Sequence, residues 1–472
     1  MGSRMNRPRV MIVVDMFPPV NTVGIHRTLA LCRRCVETGW EVTVITSRPG
    51  EGEPIDQRML AQVPASVRVV RTASPDLPVL ASRVLRPWKR AGNSSMMPGV
   101  SSRSSQPARR HGAWRSVLDW FSLWLHIPDG RAGWLWPALA HALKVGRTFR
   151  PQVIYSSAPR WTSHVVGAVT SMLLRSAFVA DFRDPWCGSA WRGGMSTCQE
   201  RVDTELERMV VKRAMRITCA WEGITKHLAR RYSHLGSKMV TILNGFDHRQ
   251  LARALPIDLH PDKCVLMHAG LFYGPRSPVA LFEAIGSLRA RHESLERELH
   301  IVLVGATTFN GIALVELARR EGIEDMITVM GRIGHMEALG MLKGCDVAML
   351  FGQSGSDLLA SVPAKTFELV GAGKPVLAVG AGYEVMDILN KGGCKVWSAN
   401  ESLNIAKAIE QILQEYRRSG LLDKAPGDAF AFSRLRTGES LERVLREVIA
   451  RPASQSRRCD ETVEEEAQLS CR

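Results

Sequence analysis

The chain has no run of about twenty apolar residues, the length a helix needs to cross a bilayer, so no membrane span is expected. It carries no P-loop of the form G-x-x-x-x-G-K-[ST]. The loop after its first apolar stretch is not G-x-G-x-x-G either, because Gly24 is the only glycine in it. No Asp-x-Asp stands ready to hold a divalent ion on a nucleotide sugar, and no Cys/His spacing suits zinc, so no metal is expected. No secretory signal is expected ahead of the apolar stretch 10–14. The ten cysteines are scattered, which points to a reducing cytosol and away from a disulfide framework. Cys32 and Cys35 are spaced like a redox pair but fall inside an amphipathic helical pattern, so they are expected to be packing thiols. Acid is missing locally: residues 77–118 contain no Asp or Glu but eight basic residues, Arg83, Arg86, Lys89, Arg90, Arg103, Arg109, Arg110 and Arg115.

What is present is the composition of a globular protein, 45% hydrophobic and 23% charged, with 39 Gly and 24 Pro in 472 residues. That excludes collagen, coiled coil and global disorder. At roughly 100–200 residues per domain the length suggests two to four domains. The formal net charge of +16 favours an anionic partner, whether nucleic acid, membrane surface or phosphorylated substrate, without choosing among them.

Short β-rich runs alternate with helical segments, the pattern of α/β domains with parallel sheets. The apolar run 10–14, a helix over 25–38 and a second strand at 41–46 form one βαβ unit with a Pro/Gly-rich loop. Strands are expected at 67–71, 153–156, 177–181, 217–220 and 240–243, with helices such as 162–175 and 198–215 between them. A second series starts at 264–269 and continues through 300–305, 327–330, 347–350 and 375–378. Two successive series predict two doubly wound domains, residues 1–255 and 256–430, with ligands in a cleft at the carboxyl ends of the strands. A C-terminal helix over 431–450 is expected to pack back on the first domain, and 451–472 to be a disordered tail. The basic segment 77–115 is Ser-rich and turn-prone in its middle and is expected to lack fixed structure.

Six of the twelve tryptophans lie between Trp88 and Trp136. Within 114–127, Trp114, Val117, Leu118, Phe121 and Trp124 follow helical spacing, with Trp120 beside them. A Trp-rich amphipathic helix behind an acid-free basic stretch suits an anionic bilayer interface, with Trp114, Trp120, Trp124, Arg109 and Arg110 as its contacts. A core helix behind a solvated loop is the competing reading. Membrane contact would make the protein peripheral on the cytoplasmic face of the cell membrane.

Four stretches bear on chemistry. The first βα loop leads through Gly24 into a helix N-terminus, whose amides and dipole attract phosphate. The strand-end cluster Asp181-Phe-Arg-Asp-Pro-Trp186 gathers Arg183, Asp184 and Trp186, a set suited to binding sugar hydroxyls, or else a structural ion pair. Gly270-Leu-Phe-Tyr-Gly-Pro-Arg276 leaves a strand through a glycine-rich loop and ends in a guanidinium. Pro363-Ala-Lys-Thr-Phe-Glu368 opens a helix with Lys365 at its N-terminal end and Glu368 one turn on. Arg276 and Lys365 together suit a diphosphate, and Glu368 a ribose diol.

These stretches, with Asn244-Gly-Phe246 and 362–376, resemble the GT-B glycosyltransferases of family 4, in the branch that assembles bacterial exopolysaccharide and lipopolysaccharide. The resemblance covers residues 9–450 except the insertion. It implies an α/β GT-B fold, two Rossmann-like domains facing each other across a cleft. It also implies a retaining transferase taking a sugar from a nucleotide-diphosphate donor to a lipid-linked saccharide, with no cofactor. On that resemblance Arg276 and Lys365 neutralise the diphosphate, Glu368 holds the ribose, Gly24 and Gly270 admit the donor, His164 lies near the transferred sugar and Asp184 is an acceptor-site carboxylate. The family often has a first glutamate where this chain has Ala360, and Asp357 is the nearby substitute.

A nucleotide-sugar epimerase and a non-catalytic nucleotide or nucleic-acid binder are the alternatives. No repeating aromatic-basic platform, helix-turn-helix or zinc-finger spacing supports nucleic-acid binding, so none is expected.

Overall fold

The computed structural model describes residues 7–22, 24–50, 52–75, 127–188, 195–352, 362–419 and 425–450. The basic insertion, the segment 114–126, Asp357, Ala360 and the tail 451–472 lie outside the described residues. The chain divides into two compact units: 1–219, 228–240 and 442–472 form the first, and 220–227 with 241–441 the second. The division thus falls at 240/241, where the sequence suggested 255/256, and the chain also changes unit over 220–227.

The first unit holds a parallel sheet in the order β3-β2-β1-β4-β5-β6-β7. Its strands are β1 Arg9–Val13, β2 Glu41–Ser47, β3 Arg68–Thr72, β4 Val153–Ala158, β5 Ala177–Phe182, β6 Arg216–Cys219 and β7 Met239–Thr241. Val10, Met11, Ile12 and Val13 are fully buried, as a central strand covered on both faces must be. Val10 pairs with Val42 on one side and Val153 on the other, which puts the reversal of strand order between β1 and β4. Cys32 and Cys35 sit in the core on the helix Ile25–Glu37, and burial pushes the Cys32 thiol up to about 12.

The second unit repeats the plan as β12-β9-β8-β13-β14-β15, again parallel throughout. Its strands are β8 Cys264–Gly270, β9 Leu299–Gly305, β12 Ile327–Met330, β13 Val347–Phe351, β14 Val376–Val379 and β15 Val396–Ala399; β10 and β11 form a small hairpin at 308–313. The strand order reverses between β8 and β13, the position at which such sheets bind ligands. Strand β15 and the helix Tyr383–Lys391 were not anticipated from sequence. Two motif glycines serve packing. A Cβ on Gly371 would meet the Phe246 ring at 2.4 Å, and one on Gly245 would meet the backbone of Ser433 at 2.6 Å. The C-terminal helix Arg434–Ala450 begins in the second unit and ends in the first, where Glu442 accepts hydrogen bonds from Trp40 Nε1 at 2.9 Å and Thr38 Oγ1 at 3.2 Å.

A buried ion pair fixes the carboxyl edge of the first sheet. Arg27, in the first turn of the helix Ile25–Glu37, donates from Nε and Nη2 to Asp181 at 2.8–3.1 Å, and neither side chain is more than 2% exposed. Ser157 Oγ and Thr218 Oγ1 donate to the same carboxylate at 2.8 and 2.5 Å. Burial alone would raise the Asp181 carboxyl, but the charge of Arg27 and these hydrogen bonds outweigh it and hold it below the usual range. Arg27→Met leaves this carboxylate buried without its counter-ion and should destabilise the chain by about 3–5 kcal/mol, whereas Arg27→Met with Asp181→Leu should recover most of the loss. Urea-denaturation midpoints of the two variants check this; equal losses would mean that the pair is not the stabilising element.

Candidate active site

In the second unit, β8 ends at Gly270 beside the first turn of the helix Lys365–Ala372. A Cβ built on Gly270 would lie 3.7 Å from Lys365 Cε and 2.7 Å from His268 Nε2, so only glycine leaves these groups their places. Gly305, at the end of β9, adopts φ +100°, and a Cβ there would meet the Gly270 carbonyl oxygen at 3.0 Å. Ala306 N donates to that same carbonyl at 3.0 Å, which ties the two strand ends together.

His268 organises this edge. Its Nδ1 lies 3.0 Å from the Met349 carbonyl across the β8/β13 reversal, and its ring packs between Phe272 and Phe351, with centroids 4.9 Å from each. The carbonyl requires Nδ1 to carry the proton, leaving a lone pair on the buried Nε2, which has no hydrogen-bond partner. Burial chiefly, with the positive charges of Lys365 and Arg276, pushes the imidazole down to about 4, so it is neutral at physiological pH. Lys365 and Arg276, far apart in sequence, thus act electrostatically on one ring. Arg276 is held by Tyr273: Nη1 donates to the phenol oxygen at 2.5 Å and the guanidinium lies 5.0 Å from the ring centroid.

The helix Lys365–Ala372 has Ala364 at its N-cap, with no side-chain cap, so its positive end and the Lys365 ammonium coincide. Glu368, 23% exposed, stands one turn further on with His335 Nε2 4.0 Å away. Phe246, Gln250 and Arg434 line the same narrow crevice. Sequence reasoning singled out Gly270, Arg276, Lys365 and Glu368 but passed over His268, two residues before the Gly270–Arg276 stretch. Its strand-end position beside an alanine and a glycine was the available signal.

In the first unit the outcome is mixed. A Cβ on Gly24 would lie 1.6 Å from an Arg183 terminal nitrogen, so what approaches this glycine is a guanidinium of the same unit. Arg183 is held by the Ala158 carbonyl, which accepts from its Nε and from its backbone N–H, both at 2.9 Å. Asp184, half-buried beside it, has its carboxyl raised to about 6 by burial, with Arg183 opposing.

Two expectations are corrected. His164 has no exposed surface: its Nδ1 lies 2.7 Å from Ser156 Oγ, its ring rests 4.6 Å from Phe182, and burial pushes its pKa down to about 3. A core imidazole of this kind presents nothing to a sugar. Trp186 is likewise fully buried, its Nε1 donating to Asp203, on the helix Thr197–Arg213, at 2.9 Å. It braces the strand-end loop and offers no surface to an acceptor.

Other expectations stand outside the described residues: Asp357 for the donor, and Trp114, Trp120, Trp124, Arg109 and Arg110 for a membrane. Among the described residues no helix is long and apolar enough to cross a membrane, and no group of three His, Cys, Asp or Glu could hold a metal.

Two Rossmann-like parallel-sheet units in one chain constitute the GT-B glycosyltransferase fold, and solved structures of that fold match nearly the whole chain. A glycosyltransferase from Rickettsia africae matches with a TM-score of 0.60 at 11% identity, covering 95% of this chain and 100% of its own. HepE of Anabaena, crystallised with UDP, gives 0.58 at 14% identity over 93% and 100%. Sucrose-phosphate synthase of Thermosynechococcus elongatus gives 0.59 at 13% over 94% and 99%. In sequence, the D-inositol 3-phosphate glycosyltransferase of Stackebrandtia nassauensis is 26% identical over 215 residues, 44% of this chain and 47% of that protein. The enzyme of the same name from Saccharomonospora viridis is 23% identical over 317 residues, 63% and 68%. The chain thus spans about half the length of the first relative and two thirds of the second. No family model matches the chain.

The raised Asp184 carboxyl gives a pH signature. The folded state holds this proton more tightly than the unfolded chain, whose carboxyl titrates near 3.9, so the group's contribution is lost as pH rises through about 6. Relative to Asp184→Asn, the wild type should lose stability between pH 4.5 and 7, as read from urea midpoints at the two pH values. A difference that stays flat would place the Asp184 carboxyl in the ordinary range.

Proposed function

We propose that this chain is a glycosyltransferase that takes a sugar from a nucleotide-diphosphate donor to an acceptor hydroxyl. The observation that carries the reading is the convergence of Lys365, Arg276 and His268 at the β8/β13 reversal, beside an uncapped helix N-terminus and two glycines that open the strand ends. This is an anion site with two cations, a neutral imidazole and room for backbone approach. A nucleoside diphosphate meets those requirements: the diphosphate faces the charges, and the ribose diol reaches Glu368. The related structures of Anabaena HepE, crystallised with UDP and with UDP-glucose, support the choice of ligand class.

The bond that breaks joins the sugar's anomeric carbon to the diphosphate, which leaves with the electron pair. Positive charge placed where that negative charge develops lowers the barrier, and this can contribute several kcal/mol. On this reading Lys365, Arg276 and the helix dipole supply the stabilisation, and no metal or other cofactor is needed. The acceptor oxygen bonds to the anomeric carbon on the face the diphosphate vacates, so configuration is retained, and the acceptor proton passes to a departing phosphate oxygen.

The finer reading is a lipid-linked saccharide acceptor in cell-surface polysaccharide or glycolipid assembly. The acid-free basic stretch 77–118 and the tryptophans that follow it support a peripheral position on the cytoplasmic face of the membrane.

Lys365→Ala and Glu368→Ala should each remove most turnover with the melting temperature near that of the wild type. The measurement is release of free nucleoside diphosphate from a panel of UDP-, GDP- and ADP-sugars. That product also separates transfer or hydrolysis from epimerisation, which conserves the donor. Near-wild-type rates in both variants would sink the site assignment.

A further inference from the structure

The loop that leaves β8 alternates hidden and open side chains. Phe272 is 7% exposed, its ring 4.9 Å from that of His268 and 5.0 Å from that of Phe351, so an aromatic cluster fixes the root of the loop. Tyr273, the next residue, is 44% exposed. Tyr273-Gly-Pro-Arg276 then closes a tight turn, in which Arg276 N donates to the Tyr273 carbonyl at 3.1 Å. Gly274 takes φ +54° there, and a Cβ on it would meet nothing within 4 Å. This glycine serves the backbone shape alone, whereas Gly270 serves a close approach. The shape it secures is the one that brings Tyr273 and Arg276 side by side.

The phenol and the guanidinium are joined twice. Arg276 Nη1 donates to the phenol oxygen at 2.5 Å, and the guanidinium lies 5.0 Å from the ring centroid. An exposed pair of this kind adds little to stability. A phenol has one proton to donate besides the lone pairs with which it accepts, and a guanidinium has no acceptor to receive it. The phenol proton is therefore left over, and among the described residues no hydrogen bond uses it. The turn thus presents an O–H and an N–H fork at one place, near the strand end where Arg276 and Lys365 both act on His268. Donors and positive charge together match a ligand that is negative and rich in acceptor oxygens, as a diphosphate is.

We propose that Tyr273 binds the ligand of this anion site directly: its phenol O–H donates to a diphosphate oxygen while its lone pair holds Arg276 in place. Phenol and guanidinium then grip the diphosphate together, and no proton is transferred. That the diphosphate belongs to a sugar donor rests on the transferase reading above; the contact with the anion rests on this turn alone.

The test uses the full chain with inorganic pyrophosphate, UDP, GDP and ADP as probes. The chain has five tyrosines, so 3-fluorotyrosine labelling gives five fluorine resonances, and Tyr273→Phe assigns the one of interest. That resonance should shift when pyrophosphate is added. By calorimetry, Tyr273→Phe should weaken pyrophosphate binding about tenfold, with the melting temperature near that of the wild type. In an Arg276→Met background the same change should still weaken binding about threefold, because the phenol touches the ligand itself. A phenol that acts only by bracing Arg276 costs nothing once Arg276 is gone. A Tyr273 resonance that stays still, unchanged affinity in Tyr273→Phe, or no further loss in the Arg276→Met background would overturn the proposal. The nucleotides keep the two readings apart. A Tyr273 response to pyrophosphate with no binding of UDP, GDP or ADP removes the nucleotide donor and leaves the contact standing. Nucleotide binding and turnover with Tyr273 silent does the reverse.

Discussion

The buried pair of Arg27 and Asp181 is the constraint on which the first unit's working edge depends. One carboxylate at the end of β5 collects a guanidinium from the helix after β1, a hydroxyl from β4 and another from β6. Four elements that contribute to the carboxyl edge are thereby held in one register. Two residues beyond Asp181, Arg183 is delivered to the glycine that begins the same helix. Burial of both charges is costly, and only the completeness of the network makes it tolerable. An apolar pair of similar volume could stabilise the fold as well, but it would not fix the strand ends in the same way.

Each unit places one buried titratable group at its strand-order reversal, and each group keeps polar atoms without partners. In the second unit it is His268, neutral, with a lone pair on Nε2; in the first it is Asp15, whose Oδ2 lies 3.3 Å from Arg160 Nε and 3.5 Å from Arg131 Nε. The other buried carboxylates among the described residues are satisfied. Glu207, for example, accepts from Cys187 N, Arg231 and Tyr232, and Asp203 accepts from Trp186.

Much of this was legible in the sequence, and the limits have physical causes. Continuous apolar runs marked β1, β8 and β13 because strands covered on both faces cannot alternate. Strand β15 escaped because Val396–Ala399 is only four residues long and follows a Gly-Gly turn. Arg276 and Lys365 could be singled out because a cation at a strand or helix end has a local signature. His164 and Trp186 were misjudged because residue type and strand-end position do not reveal which way the chain turns next. Trp186 points inward to Asp203, and His164 occupies the first turn of a helix whose neighbouring residues are buried too. Asp15 and Arg160 carried no motif at all. Their partnership joins the ends of β1 and β4, well over a hundred residues apart in sequence, and only the sheet order makes them neighbours.

Charge then distinguishes the two edges. Lys365, Arg276 and a helix N-terminus give the second unit's edge a surplus of positive charge, with a single carboxylate, Glu368, one turn down the helix. The first unit's edge pairs Arg131 and Arg160 with Asp15 and Glu53, and Asp129 also acts on Asp15. A chain of net charge +16 has arginine and lysine to spare, so the carboxylates at this edge are a local arrangement and not a reflection of composition. Placing two acids there cancels the anion affinity that two arginines would otherwise create.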